Sequence, residues 1–267
     1  MPLKRALNLV TIRNAPLAQK LELVRVAGYD GVGLWLDELD QAAREPDGLS
    51  RVRRALEDSG LIAAELCYVG GWMYPEEGQQ ASVRAQAERA FRAAQSLGCE
   101  CVVAPVSTDA GDLEQAASDF AALCELAQRY GARVALEFLG GAQQVREVRT
   151  AWRIVEDADA PNGGLLIDSF HFHKGGSELA DLDPVRGDRV FLVHVSDCPE
   201  LPRQELEDGD RIFPGTGVLE LELIAAALVN KGYRGFFSLE LFNQEYWAAD
   251  PYLIAQEGIH SMKRAGL

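Results

Sequence analysis

The feature that most constrains the fold of this chain is the alternation of short apolar runs with longer amphipathic segments. Eight apolar runs recur along the 267 residues, at 7–12, 31–36, 61–67, 101–106, 133–139, 164–170, 190–197 and 236–242. Runs of this length with few polar residues are typical of strands that are buried on both faces, as in a parallel sheet. The amphipathic segments 16–27, 79–97 and 112–130 each end before a glycine, which predicts helices with glycine C-caps.

Eight strand–helix units without a Pro-rich or Ser-rich linker predict an α/β fold of the (β/α)8 barrel type, a TIM barrel. The length suits such a barrel, and we expect residues 1–267 to form one TIM-barrel domain. The structural alternative is a doubly wound open sheet, which would bind a nucleotide through a glycine-rich turn after its first strand. The first apolar run is instead followed by TIRNAPL, which contains no GxGxxG motif.

Charge and cysteine usage exclude several classes of protein. The formal net charge is −15, so the surface repels phosphate backbones and nucleic-acid binding is not expected. Five cysteines without a CxxC pair indicate neither a disulfide framework nor a zinc knuckle, and favour a reducing compartment. The apolar start is broken at Asn8 and Thr11, and no run of 18 apolar residues follows. We therefore expect a cytoplasmic protein without a membrane partner, either a monomer or a homodimer.

Ionisable residues mark the ends of four successive predicted strands: Glu137, Asp168, His194 and Glu240. The carboxyl ends of parallel barrel strands meet at one face, so these side chains should converge. Three carboxylates in one place repel each other unless a cation lies between them. The pattern therefore predicts one divalent metal ion, with Mn, Zn, Co and Mg left open. Asp197, three residues after His194, is a candidate to orient that imidazole or to contact a substrate.

Further side chains are placed to contact a substrate at the same face. His171 follows Asp168 by three residues and could reach into the pocket from the loop after that strand, sharing a face with His173 if the segment stays extended. Arg211 lies in the long polar segment after the seventh run and could anchor a hydroxyl or carboxylate, or form only local ion pairs. Trp35 and Tyr68 stand at strand ends, where aromatic rings can form a wall for a sugar or simply plug the barrel mouth.

Several stretches resemble the sugar isomerase/epimerase family with a xylose-isomerase-like TIM barrel: ALEF, LxxDSFHFH, VHVSD, DRxFPGxG and GYxGxxSLELF. The resemblance is strong over 131–262 and is closest to the 2-keto-myo-inositol (inosose) isomerases of inositol catabolism. It implies that the four strand-end residues named above match the family's metal ligands. It also implies that Glu137 and Glu240 match the pair that moves protons in related epimerases. Thr216 stands where we expected Gln, which leaves the substrate open.

The chemistry of such a site suggests three functions. The first is a divalent-metal-dependent isomerase or epimerase of an inosose or small ketose, which acts through a metal-bound enediolate with the two glutamates as acid and base. The second is a metal-dependent dehydratase of 3-dehydroshikimate or an inosose, in which the enolate expels a β-hydroxyl. The third is a non-catalytic sugar-binding barrel, which would not need an acid/base pair at a metal. The family's endonuclease branch needs histidines in the first half of the barrel, and this chain has none before His171.

Overall fold

The eight apolar runs form one closed barrel of parallel strands in chain order, so the predicted (β/α)8 barrel is confirmed. The computed structural model describes residues 3–267. Its strands are β1 (Lys4–Asn8), β2 (Gly31–Trp35), β3 (Ile62–Cys67), β4 (Cys101–Pro105), β5 (Arg133–Glu137), β6 (Gly163–Asp168), β7 (Val190–Val195) and β8 (Phe236–Leu239). Each strand pairs with the next, and β8 closes the barrel by pairing with β1.

Helices connect the strands and form the outer layer. They are α1 (Leu17–Ala27), α2 (Leu36–Ala42), α3 (Gly48–Ser59), α4 (Gln80–Leu97), α5 (Leu113–Gln128), α6 (Val148–Ala158), α7 (Ser169–Gly175), α8 (Leu221–Asn230), α9 (Gln244–Ala248) and α10 (Pro251–Arg264). Gly28 and Gly98 cap α1 and α4 with φ of 88° and 68°, in the left-handed region that glycine enters without strain. Within residues 3–267, every helix is too short or too polar to cross a membrane.

The inside of the barrel is filled in two layers that differ in polarity. Ala135, Leu166 and Leu192 belong to a buried apolar cluster inside the barrel. The residues two positions further along the same strands are Glu137, Asp168 and His194. Because side chains two apart on a strand point to the same face, the polar layer lies directly above the apolar one, at the carboxyl ends of the strands.

Two apolar runs leave the strand conformation where a side chain caps a helix. Asp168 Oδ1 accepts from the His171 backbone N–H at 2.8 Å and begins α7, so His171 lies in the first turn of a helix and not in the expected loop. In the same way Asn8 Oδ1 accepts from the Val10 backbone N–H at 3.1 Å, and the chain turns into a 3-10 helix at Leu9–Ile12. Polar residues inside apolar runs thus mark the ends of β1 and β6.

Asp197 organises the loop that carries Arg211, and the expectation that it orients His194 or contacts a substrate is wrong. Its two carboxylate oxygens accept four backbone N–H groups at 2.9–3.0 Å, from Cys198, Gly215, Gly217 and Leu219. Its own backbone pairs with Ile212 in both directions. A Cβ at Gly217 would lie 2.5 Å from Asp197 Oδ1, so only glycine fits there. The loop is therefore closed on β7 by one buried carboxylate.

Replacing Asp197 by asparagine should destabilise the protein and release this loop. The amide removes two acceptor positions and turns an N–H₂ group toward backbone donors, so we expect a loss of about 2–4 kcal/mol in the free energy of unfolding. Urea denaturation measures that loss, and limited proteolysis should cut between residues 198 and 219. Asp188→Asn is the control, because Asp188 bonds only to Arg186 at the surface and should cost little. An unchanged urea midpoint and cleavage pattern in Asp197→Asn would contradict this role.

Candidate functional site

The four strand-end residues predicted as metal ligands converge on one point. Glu137 and Asp168 end β5 and β6, His194 lies one residue before the end of β7, and Glu240 follows β8 directly. All four are buried. One nitrogen or oxygen atom from each lies within 4.8 Å of the corresponding atoms of the other three. The parallel register of neighbouring strands produces this convergence, because it aligns the strand ends at one face of the barrel.

The imidazole of His194 tests whether a metal ion suits this cluster. Its Nδ1 atom is buried and makes no hydrogen bond to the part of the chain that the structure describes. The nearest carboxylate oxygens belong to Glu240, Glu137 and Asp168, at 3.1, 3.6 and 3.8 Å. An unpartnered nitrogen that faces three carboxylates is the mixed nitrogen and oxygen donor set of divalent ions such as Zn²⁺ or Mn²⁺. The residues therefore fit a divalent cation.

Glu65 holds the other nitrogen of His194, and the sequence analysis missed it. Glu65 Oε2 lies 2.6 Å from His194 Nε2, and both side chains are buried. A carboxylate that binds the second nitrogen of a metal-binding histidine fixes the ring's tautomer and orientation. A Cβ at Gly33 would lie 2.0 Å from Glu65 Oε1, so glycine in β2 leaves room for this carboxylate. Glu65 interrupts the apolar run LIAAELC in the sequence, but nothing in that run links it to a histidine 129 positions later.

The cluster raises the pKa values of two of its members, Glu137 and His194. Burial raises the pKa of Glu137 to about 7. Burial also lowers the pKa of His194, but the negative charges of Glu240 and Glu65 outweigh this effect and raise it well above its usual value. These shifts have a common origin in the negative charge that is concentrated away from water. Either bound protons or a cation must balance that charge.

Arg211 lies against the same carboxylates. Its side chain is buried, with Nη1 at 2.6 Å from Asp168 Oδ2 and 3.4 Å from Glu240 Oε2. The guanidinium also lies over the Phe170 ring, 4.6 Å from its centroid. Burial alone would raise the pKa of Asp168, but the charge and hydrogen bond of Arg211 and the neighbouring imidazoles together outweigh it and hold that pKa below its usual value. Arg211 is thus tied to the carboxylates while it also lines the cavity above them.

His171 presents an unused hydrogen-bond donor at this cavity. Its Nε2 atom lies 3.3 Å from Arg211 Nη2, which can only donate, so Nε2 accepts and the ring proton sits on Nδ1. Nδ1 is buried and has no partner among residues 3–267. Burial, with the charge of Arg211, outweighs the attraction of Asp168 and lowers the pKa of His171 to about 4. His171 is therefore a neutral donor beside the cluster.

A cavity of about 580 Å³ opens above the cluster. Trp35 and Tyr68 both line it, and their rings meet edge to face with centroids 6.0 Å apart. Polar residues also line the cavity, among them Ser107 and Thr108, which carry hydroxyl groups. The cavity therefore offers an aromatic surface and polar groups together, which is the mixture that small polyols need.

Comparison with known proteins gives relatives along nearly the whole chain. An inosose isomerase of Halalkalibacterium halodurans is 30% identical over 261 residues, which cover 95% of this chain and 91% of the relative. A 3-dehydroshikimate dehydratase of Pseudomonas putida is 31% identical over 251 residues, which cover 92% of this chain but 39% of that larger protein. A solved structure of the IolI protein with a bound zinc atom is 26% identical with a TM-score of 0.90, over 99% of this chain and 96% of that one.

The family assignment follows from sequence and architecture together. The xylose isomerase-like TIM barrel family model matches residues 21–265, which include seven of the eight strands and all four convergent side chains. The fold agrees, because the strands close a parallel barrel and the polar cluster lies at their carboxyl ends. This chain belongs to the xylose isomerase-like TIM barrel family.

Proposed function

We propose that this protein is a divalent-metal-dependent isomerase of an inosose, a cyclic polyhydroxy ketone. The observation that carries the proposal is the unpartnered Nδ1 of His194, which faces three carboxylates, two of which line a cavity of about 580 Å³. The inosose isomerases among the relatives support the substrate class. The candidate ligands are Glu137, Asp168, His194 and Glu240.

The reaction exchanges a ketone with the hydroxyl on the adjacent carbon. A divalent ion supplies Lewis acidity to these two oxygens when it is bound. One of the two glutamates, Glu137 or Glu240, takes the proton from the carbon that bears the hydroxyl, and a proton is delivered to the former carbonyl carbon. The hydroxyl proton passes to the former ketone oxygen, so atoms and electrons balance without a co-reactant. The donor on His171 Nδ1 and the guanidinium of Arg211 stabilise the oxygens as negative charge develops.

The charges that line the cavity favour a neutral substrate over 3-dehydroshikimate, which carries a carboxylate. Three carboxylates line the cavity, those of Glu137, Asp208 and Glu240. Among its described lining residues only Arg211 carries a full positive charge, and that charge is already paired with Asp168. Apart from a bound ion, the described lining therefore offers a substrate carboxylate no unpaired cation, whereas the hydroxyl groups of a cyclitol can donate to these oxygens. The aromatic faces of Trp35 and Tyr68 suit the C–H faces of such a ring.

The direct test is turnover of 2-keto-myo-inositol in D₂O with Mn²⁺, followed by proton NMR. We expect a positional isomer of the ketone with deuterium at the former carbonyl carbon, loss of activity with EDTA, and recovery when Mn²⁺, Zn²⁺ or Co²⁺ is added back. The same metal-loaded protein is then given 3-dehydroshikimate. An ultraviolet-absorbing dehydration product would establish the dehydratase instead. The absence of both turnover and deuterium exchange with every inosose tested would contradict the proposal.

Replacing each candidate acid/base residue should separate proton transfer from metal binding. An amide oxygen can still ligate an ion but cannot accept a proton at neutral pH, so Glu137→Gln and Glu240→Gln should keep metal and lose about 10²–10⁴-fold in kcat. His194→Ala removes the nitrogen donor and should lose metal and activity together. Metal content by mass spectrometry and initial rates check both statements. A metal-loaded Glu240→Gln protein with turnover near that of the wild type would remove Glu240 from the acid/base role.

The role of His171 is tested by alanine substitution on α7. Because His171 Nδ1 is the unused donor beside the cluster, His171→Ala should bind Mn²⁺ normally and lose about 10²–10³-fold in kcat/KM. His173→Ala is the matched control, since His173 lies on the same helix but does not line the cavity. Equal activity in the two variants would exclude His171 from contact with the substrate.

A further inference from the structure

The side chain of Asn8, at the end of β1, uses its amide group completely. Its Oδ1 accepts from the Trp35 indole Nε1 at 2.6 Å and from the Val10 backbone N–H at 3.1 Å. Its Nδ2 donates to Glu65 Oε1 at 3.2 Å and to Glu240 Oε1 at 3.1 Å, with the weaker acceptor Cys67 Sγ at 3.5 Å. If the amide were flipped, its N–H₂ group would face two donors and its oxygen would face two carboxylates. The hydrogen-bond partners therefore fix the orientation of the amide.

The amide of Asn8 determines which carboxylate oxygen of Glu240 and of Glu65 remains available for other contacts. Glu240 Oε1 is held by Asn8, and Glu240 Oε2 is then the oxygen that lies 3.1 Å from His194 Nδ1, inside the candidate metal cluster. Glu65 Oε1 accepts from Asn8 and from Ser238 Oγ at 2.7 Å. Glu65 Oε2 is therefore left to bind His194 Nε2. The amide of Asn8 thus contacts both Glu240, a candidate ligand, and Glu65, which binds the candidate ligand His194.

Trp35 connects this buried amide to the cavity. Its ring lines the cavity beside Tyr68, while its indole N–H points away and donates to Asn8. Asn8 itself is fully buried and does not line the cavity. Trp35 is accordingly the connection from the wall of the cavity to Asn8, and Asn8 acts on the cluster only through other side chains.

We propose that Asn8 is a positioning residue of the metal centre, which orients both Glu240 and the Glu65–His194 pair, and that the indole N–H of Trp35 holds Asn8 in place. The inference rests on the proposed function, because it assumes that the cluster binds a metal ion. It assigns Trp35 a second role besides contact with a substrate. Loss of a side chain that orients metal ligands usually weakens metal binding by about 10–100-fold.

The experiment measures the affinity of the metal-stripped full-length chain for Mn²⁺, and in parallel for Zn²⁺, by calorimetry without substrate. Asn8→Ser keeps an oxygen that can cap the 3-10 helix but offers one donor, one bond closer to the backbone, in place of two. We expect about 10–100-fold weaker binding for Asn8→Ser and about tenfold for Trp35→Phe, which removes the indole N–H and keeps a smaller aromatic ring.

Matched controls remove similar groups elsewhere. Asn162→Ala deletes an amide whose two donors bind the backbone carbonyls of Cys124 and Ala132, and Trp72→Phe deletes an indole N–H that binds the carbonyl of Pro105. Both controls should leave metal affinity unchanged even where they lower thermal stability. The double variant Asn8→Ser/Trp35→Phe should bind no more weakly than Asn8→Ser alone, since Trp35 acts through Asn8.

The outcomes separate the inference from the proposed function. If the wild type binds metal and Asn8→Ser binds it equally well, the positioning role is overturned and the proposed function stands. A loss of affinity in Trp35→Phe that adds fully to that of Asn8→Ser would overturn the connection between the two residues. If Asn8→Ser does not fold, Trp35→Phe compared with Trp72→Phe decides the question alone. A wild-type protein that binds neither Mn²⁺ nor Zn²⁺ would overturn the metal centre itself, and with it both proposals.

Discussion

The burial of three carboxylates around one imidazole is the constraint on which the rest of this site depends. Removing an ionised group from water costs several kcal/mol even after the protein relaxes, so Glu137, Asp168 and Glu240 need fixed partners. Arg211 lies against Asp168 and Glu240, and the imidazole of His194 lies between all three. These partners come from different segments of the chain. A closed parallel barrel can bring them together, because it ends every strand at the same face.

The fold was predictable because its signal is local and repeated. Seven of the eight apolar runs contain a strand over most of their length, whereas the run 7–12 overlaps β1 only at residues 7–8 and continues as a 3-10 helix. The segments predicted as helices at 16–27 and 79–97 match α1 and α4 to within one residue at their ends. The convergence of Glu137 and Asp168 also followed from the sequence, since both stand at the ends of strands whose direction the fold defines. The sequence did not indicate α7, because an Asp168 side chain that caps a helix competes with extension of the strand.

The partners of these residues were harder to predict because they act across the barrel. Asn8 and Glu240 are 232 positions apart in sequence, and Glu65 and His194 are 129 apart. No periodicity links such pairs, and Asn8 appeared only as a polar break in an apolar run. Asp197 illustrates the opposite error. Its closeness to His194 in sequence suggested a contact, whereas its side chain turns to the backbone of the following loop.

The two halves of the barrel contribute different parts of the site. The candidate metal ligands lie at the carboxyl ends of β5 to β8, while Trp35 on β2 and Tyr68 after β3 contribute aromatic rings to the cavity wall. The charged side chains that line the cavity, among the described residues, also come from the second half of the barrel: Glu137, Asp208, Arg211 and Glu240. In this chain Asn8 crosses that division, because it belongs to the first half by position and hydrogen-bonds directly to Glu240 in the second. A substitution of the wall at Trp35 therefore bears on the cluster as well as on the substrate.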